Sequence, residues 1–233
     1  MVFTPPSVPP SSGDRNLSRG GNLEIRNIEL YILQTMSRIV ILALYLLYNI
    51  GGYAQSVPDG FAIEPIHDGL FERIKGKSFK DDCTVSRDSL RYIRLLHYDF
   101  NGIVRTGEMI CNHRIANDIV EIFHQLYAAR YPIGKVLLVD DFNADDDASM
   151  AANNTSCFNF RKVADSKVIS RHGMGLAVDI NPKYNPHVKS ASQASPSKYR
   201  IDHNDLCYKL FIQHGFKWGG DWKHSKDYQH FEK

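Results

Sequence analysis

One acidic residue inside an apolar segment most constrains how this chain can fold. The segment Leu176–Ile180 reads Leu-Ala-Val-Asp-Ile, which is typical of a short buried strand. Its acid is Asp179, and burying a carboxylate without a partner is energetically expensive. His172 precedes the strand, and Gly173 and Gly175 permit a tight turn at that point. A metal ion that binds both His172 and Asp179 is one partner that would satisfy this carboxylate.

The overall composition is that of a globular domain with additional segments. The chain has 233 residues, of which 43% are hydrophobic, and its formal net charge is +2. The basic residues are scattered along the sequence, so there is no electrostatic argument for a nucleic-acid partner. We expect a monomer that does not bind nucleic acid.

The N-terminal part of the chain differs from the rest. Residues 1–35 are rich in Pro, Ser, Gly and Asn, which predicts a disordered segment or an extension produced by a start codon upstream of Met36. Residues 36–54 contain Arg38, the apolar run Ile39–Tyr48 and the small-x-small sequence Gly52-Tyr-Ala54, the pattern of a secretory signal peptide. The apolar run is shorter than the roughly 20 residues that a membrane-spanning helix needs. We therefore predict export of the protein. The alternative is that this segment stays uncleaved as a membrane anchor. Only in that case would a membrane be a partner.

Export affects how the four cysteines are interpreted. They are far apart in sequence and form no Cys-x-x-Cys pair, which makes them poor zinc ligands. An oxidising compartment would permit disulfides among Cys83, Cys111, Cys157 and Cys207, and buried free thiols are the alternative.

Residues 59–233 show mixed strand and helix patterns without regular alternation. A β-rich run, Leu90–Phe100, is followed by the hairpin signal Asn101-Gly102 and a return strand through residue 111. We also expect a helix that begins near Ile115 and ends before Pro132, a strand at residues 135–139, a helix at residues 204–214, and strands with turns near the end. These patterns predict an α+β fold: one compact domain with a small antiparallel sheet flanked by helices, and the metal site on the sheet.

An acidic run at Asp140–Asp147 invites comparison with calcium-binding loops. It has no glycine at the sixth position of an EF-hand loop, and Ala152 stands where the bidentate glutamate belongs. We predict a solvated acidic loop.

A second group of chemically active residues lies near the C-terminus. Asp227 and His230 are three residues apart, so both can point the same way from a single turn. Together with His172 and Asp179 they offer two imidazoles and a carboxylate for a metal, with one acid left over. Three protein ligands and an open position are how proteins hold catalytic zinc, and the spare acid can accept a proton from water.

The spacing of these motifs resembles one known family. Ser170-x-His172-x-x-Gly175-x-Ala177-x-Asp179 and the downstream Asp227-x-x-His230 are similar to the VanY-like zinc D-alanyl-D-alanine carboxypeptidases and L-alanyl-D-glutamate endopeptidases of bacterial cell walls. The segments Asn153–Arg161 and Trp218–Trp222 also resemble that family.

The resemblance implies roles for individual residues. It implies that His172, Asp179 and His230 bind one Zn²⁺ per chain, and that Asp227 is the catalytic acid/base, where the family often has glutamate. It also implies that Arg161 binds the substrate carbonyl or carboxylate. The role of Ser170 is open between binding the substrate and shaping the turn. Asp221 and Glu232 support the site or the fold.

The implied substrates are peptidoglycan stem peptides, which an exported bacterial protein would meet in the periplasm or outside the cell. Two alternatives remain from the residues alone. One is an inactive relative that binds cell-wall peptides, and the other is a structural zinc module, which the lack of a fourth protein ligand disfavours. The peptide bond that is cut stays open between D-Ala-D-Ala and L-Ala-D-Glu.

Overall fold

The structure is a computed structural model that describes residues 57–163 and 166–233, together with residues 32, 35 and 36. Residues 57–233 form one compact unit. Apart from residues 32, 35 and 36, the predicted disordered segment and the predicted signal peptide lie outside the described residues. Among the described helices, none has the length and apolarity that crossing a membrane requires.

The largest sheet is built around the predicted hairpin. Its strands are β1 (Ala62–Pro65), β2 (Leu90–Tyr98) and β3 (Val104–Asn112), antiparallel in that order. The turn between β2 and β3 is closed by the Asp99 amide, which donates to the Ile103 carbonyl oxygen at 2.9 Å. The hairpin prediction is confirmed.

Four α-helices occur in residues 57–163 and 166–233: α1 (Asp68–Ile74), α2 (Ala116–Ala128), α3 (Asp146–Ala151) and α4 (Leu206–Gln213). The apolar face of α2 packs against β2 and forms the centre of the core. The fully buried side chains on this face are Ile119, Ile122, Phe123 and Leu126. The spacing of apolar residues correctly predicted α2 and α4, but α1 and α3 were not predicted.

The remaining strands of the described chain are short. β4 (Lys135–Val136) pairs in parallel with β5 (Asn154–Thr155). β6 (Ala177–Asp179), β10 (His230–Glu232) and β8 (Lys217–Trp218) form a second antiparallel sheet in the order β6-β10-β8. β7 (His187–Val188) pairs with β9 (Lys226–Asp227). The α+β prediction is confirmed, although the strand expected at residues 135–139 ends at Val136.

The acidic run is in part the solvated loop that the sequence predicted: Asp141, Asp145 and Asp147 are exposed, whereas Asp140 is buried. Asp140 is 3% exposed, because its two carboxylate oxygens accept hydrogen bonds from the Ser78 amide at 3.0 Å and the Ser78 hydroxyl at 2.9 Å. Asp141 forms an ion pair with Arg73, and Asp145 caps the N-terminus of α3. The sequence did not predict the burial of Asp140, because its partner Ser78 lies 62 positions away and is not visible in the local sequence.

Candidate metal centre

The pairing of β6 with β10 places two of the predicted ligands opposite each other. Asp179 and His230 are direct cross-strand partners in this antiparallel pair. Side chains alternate between the two faces of a strand, so Phe231 points into the core and is fully buried, while His230 and Glu232 share the other face. A carboxylate and an imidazole at directly opposed positions have Cβ atoms only about 5 Å apart.

His172 reaches the same point from a short turn. It begins the 3₁₀ helix His172–Met174, which ends at Gly175 in the left-handed region with φ +67°. Its Nδ1 lies 2.7 Å from the Cys157 carbonyl oxygen, so Nδ1–H donates there. The lone pair of Nε2 is therefore left for another partner.

Three ligand atoms converge on one point. His172 Nε2 and His230 Nδ1 lie 3.2 and 3.1 Å from Asp179 Oδ1, and 3.1 Å from each other. Ligands of tetrahedral zinc bound at 2.0–2.1 Å would be separated by about 3.3–3.4 Å. The donor types and the spacing both fit a small cation, and the three residues form a candidate metal site.

Surrounding groups hold these ligands in place. His230 Nε2 lies 3.3 Å from Glu232 Oε2, so the ring nitrogen that faces away from Asp179 also has a partner. Gln229 Nε2 lies 3.4 Å from Asp179 Oδ2, and the Trp222 ring packs 5.2 Å from the His230 ring. Such outer partners fix the orientation of metal ligands.

The charges of the site shift the pKa values of its members. Burial acts to raise the pKa of Asp179, but the two imidazoles His172 and His230 outweigh it and hold that pKa well below its usual range. Burial acts to lower the pKa of His230, but hydrogen bonds to Asp179 and Glu232 raise it to about 10. In the absence of a metal, a proton on His230 thus takes the place of a cation beside Asp179.

Asp227 lies next to this cluster at the end of β9. Burial, together with the negative charge of Asp179, raises the pKa of Asp227 to about 7, against the opposing charges of His230 and His172. Its Oδ1 is buried and makes no hydrogen bond within the described part of the chain. A buried carboxylate oxygen without a partner is costly, and a water molecule on a metal ion would satisfy it.

Close approach to Gly219 allows the turn from Asp227 to His230 to take this position. A Cβ on Gly219 would stand 2.6 Å from the Asp227 carbonyl oxygen and 3.2 Å from the His230 Cβ. Only a residue without a side chain fits there, which gives a physical reason for glycine in the Trp-Gly-Gly-Asp segment.

A cleft of about 680 Å³ opens over these residues. Arg161 and Ser170 both line it, as do the three candidate ligands and Asp227. Arg161 forms an ion pair with Asp146, and the Ser170 hydroxyl accepts a hydrogen bond from the Gly173 amide at 2.9 Å. The structure thus brings all six sequence-predicted site residues to one cleft and gives Ser170 a contact that shapes the turn.

Sequence reasoning missed four contributors to the site, one of which is the Gln229 side chain beside Asp179. The Cys157 carbonyl orients His172, but every residue has a carbonyl, so the sequence carries no signal for it. Asp146 was assigned to a solvated loop, and Trp222 was noted only as part of a family-like segment. The signal for Asp146 would have been a helix N-terminus, because Asp145 precedes a short helix as a capping residue.

Comparison with known proteins adds one finding. The family model described as D-alanyl-D-alanine carboxypeptidase matches residues 164–233. No curated protein and no solved structure matches the chain. The matched range contains Ser170, the three candidate ligands and Asp227, but it does not include Arg161, whose assignment stays a prediction. The resemblance predicted from the spaced motifs is therefore confirmed, and over residues 164–233 this chain is similar to the VanY-like D-alanyl-D-alanine carboxypeptidases.

Proposed function

We propose that this protein is an exported, zinc-dependent peptidase that hydrolyses the stem peptides of bacterial peptidoglycan. The observation that carries the proposal is the convergence of His172 Nε2, His230 Nδ1 and Asp179 Oδ1 beside the Asp227 carboxylate in an open cleft. The family match supports a peptidase of the D-alanyl-D-alanine carboxypeptidase type. The signal-like pattern of residues 36–54 supports export.

Two imidazole nitrogens and one carboxylate oxygen are a donor set that proteins use for catalytic zinc, with a fourth position open. When bound, zinc would supply a Lewis acid that lowers the pKa of water from roughly 15.7 to about 7. His172, Asp179 and His230 would hold the ion. The contacts to Cys157 and Glu232 keep the correct imidazole nitrogens directed at it.

Asp227 is the residue placed to move the proton. Its carboxylate accepts a proton from the water molecule whose oxygen attacks the carbonyl carbon of the scissile bond. The same carboxyl group then donates that proton to the nitrogen of the leaving amine as the carbon–nitrogen bond breaks. Burial raises the pKa of Asp227 above that of an ordinary carboxyl group, and this suits both steps, because a group that gives and takes a proton works best when its pKa is close to the ambient pH.

Arg161 lines the same cleft and carries a permanent positive charge. In the proposed reaction it donates to the substrate, at the carbonyl oxygen that gains negative charge or at a nearby carboxylate. Loss of one such donor typically costs about 3–4 kcal/mol of transition-state stabilisation.

Mass spectrometry of muropeptides tests the proposal directly. The zinc-loaded protein should shorten stem peptides, and the mass lost distinguishes removal of terminal D-Ala from release of the whole stem at L-Ala. The His230→Ala variant serves as the control and should leave the muropeptides intact. Unchanged muropeptide masses with the zinc-loaded wild type would contradict the proposal, and binding without cleavage would favour a cell-wall peptide-binding module.

A further inference from the structure

Arg161 is held by an acidic residue that the reaction itself does not require. Arg161 Nε lies against Asp146 Oδ2 in an ion pair rather than in an aligned hydrogen bond, and both side chains are about one-third exposed at the edge of the cleft. Within the described residues, neither terminal nitrogen of Arg161 makes a hydrogen bond to another group. Those terminal N–H groups are therefore free to bind something that enters the cleft.

Asp146 is itself fixed from the other side. Its Oδ1 accepts a hydrogen bond of 2.8 Å from Asn159 Nδ2, and that amide also donates to the Ala144 carbonyl oxygen at 3.1 Å. Asn159 is only 2% exposed, so this contact is shielded from water. Each oxygen of the Asp146 carboxylate thus has its own partner, and this fixes the plane of the carboxylate.

Hydrogen bonds connect the Arg161–Asp146 pair to the turn that carries His172. The backbone N–H of Asn159 donates to the His172 carbonyl oxygen at 3.2 Å, and the backbone N–H of Ser170 donates to the Arg161 carbonyl oxygen at 3.0 Å. The main chain of Arg161 is therefore held beside the candidate metal ligand while Asp146 holds its side chain. Both ends of the arginine are positioned relative to the metal centre.

We propose that Asp146 is a positioning residue that holds Arg161 so that its two terminal nitrogens receive a carboxylate of the substrate. A guanidinium fixed at Nε presents a planar pair of N–H donors, and this geometry matches the two oxygens of a carboxylate better than the single oxygen of a carbonyl. The inference rests on the proposed function, because it names a substrate carboxylate close to the scissile bond. A terminal D-Ala carries such a group on its α-carbon.

A rival role for Asp146 makes the opposite prediction. If Asp146 only neutralises Arg161, it competes with the substrate, and its removal should strengthen the binding of an anion. If Asp146 positions Arg161, its removal should weaken that binding. The sign of the change therefore separates the two roles.

Two probes of nearly identical shape test this inference: N-acetyl-D-alanine, which has a free carboxylate, and its neutral carboxamide. Titration calorimetry on the zinc-loaded protein should show the carboxylate binding at least about tenfold more tightly than the amide. Asp146→Ala should lose about tenfold in affinity for the carboxylate and show no change for the amide. Asp147→Ala is the matched control, because it removes the same charge from the adjacent exposed position and should change neither affinity.

A double-mutant cycle assigns the effect to Arg161. In an Arg161→Ala background, adding Asp146→Ala should cause no further loss, and Asp146→Glu in the wild-type background should restore part of the carboxylate preference. Equal binding of the two probes by the wild type, or unchanged or tighter carboxylate binding by Asp146→Ala, would overturn the inference. These titrations need no turnover. A wild type that fails to cleave muropeptides but shows the expected loss in Asp146→Ala would therefore refute the proposed function and leave the positioning role standing.

Discussion

Each imidazole of the candidate site has one nitrogen bound to an outer partner and one directed at Asp179. The Cys157 carbonyl oxygen accepts from His172 Nδ1–H, and Glu232 accepts from His230 Nε2–H. Because a neutral imidazole has one donor and one acceptor nitrogen, these contacts decide which nitrogen can bind a cation. The spaced motifs and the family resemblance predicted the ligand residues, but only the contacts show which atoms face the site.

Removal of the Glu232 carboxylate should weaken metal binding without removing a ligand. We expect Glu232→Ala to lower zinc affinity by about 10- to 100-fold, because the outer partner of His230 would be lost. Asp221→Ala is a suitable control, since Asp221 pairs with His203 at a site where both side chains are about half exposed or more. Competition with a chromogenic chelator measures both affinities, and equal zinc affinity in the wild type and Glu232→Ala would refute this role of Glu232.

The pH dependence of turnover should report Asp227. The ionised carboxylate accepts the proton, so kcat/KM should fall as the pH drops through the pKa of Asp227 and level off above it. That pKa is raised to about 7 by burial and by the charge of Asp179. A bound dication offsets the charge of Asp179, so the acid limb of the zinc-loaded protein should lie at or below about pH 7.

Profiles of kcat/KM between about pH 5 and pH 9 for the wild type and Asp227→Ala check this assignment. The acid limb should be present in the wild type and absent from whatever activity remains in Asp227→Ala. If the acid limb of the kcat/KM profile is the same in both proteins, a group other than Asp227 titrates there.

At the scale of elements, the site depends on one strand pairing and one close backbone approach. The register of β6 against β10 sets Asp179 opposite His230, and Gly219 lets the turn that carries Asp227 approach β10. A shift of one residue in this register would turn His230 towards the core and Phe231 towards the cleft.

Gly219→Ala should disturb the site at this point of approach. The added Cβ would lie 2.6 Å from the Asp227 carbonyl oxygen, so the backbone must move. We expect turnover to fall by at least about tenfold and the stability to drop by about 1–3 kcal/mol, the usual cost of overpacking.

Gly69→Ala is the matched control for this substitution. It adds a methyl group within α1, where a Cβ would make only ordinary contacts at 3.6 Å. Activity assays and chemical denaturation should therefore separate the two variants, and a fully active Gly219→Ala would show that the close approach is unimportant.

The elements that the sequence predicted best are those fixed by neighbouring residues. The Asn-Gly turn and the apolar spacing of α2 are local signals, and both were confirmed. The short strands β4, β5, β7 and β9 are two residues long and exist because distant segments meet. Likewise Asp140 is buried because Ser78 donates to it, and no pattern within residues 140–147 carries that information.

At the scale of the whole molecule, the candidate ligands join segments that are distant in sequence. His172 and His230 are separated by 58 positions, and the spacing of their motifs, rather than any single residue, carried the family resemblance. Of the groups that orient them, Glu232 lies beside His230 in β10 and was named from the sequence, whereas the Cys157 carbonyl comes from a separate segment and was not.

Because a metal would bind these three residues only when the domain is folded, it should stabilise the whole domain. Free zinc at about 100 times its dissociation constant would add about 2.7 kcal/mol. For a domain of this size each kcal/mol raises Tm by about 2–4 °C, so chelation should lower Tm by about 5–11 °C. Scanning calorimetry with and without a chelator measures the shift. The Asp179→Ala variant is the control and should show no such shift. A wild-type Tm that does not change on chelation would count against the metal site.

The central claim is that the cleft holds a catalytic metal on His172, Asp179 and His230, with Asp227 acting as the base and not as a ligand. The most direct measurement is zinc content and stem-peptide hydrolysis, determined side by side for Asp227→Ala and Asp179→Ala. We expect Asp227→Ala to keep about one zinc per chain and lose most of its turnover, and Asp179→Ala to lose the zinc itself. Asp227→Glu should keep its zinc and part of its activity. Loss of zinc in Asp227→Ala with retention in Asp179→Ala would reverse the two roles, and full activity in Asp227→Ala would contradict the assignment of the base.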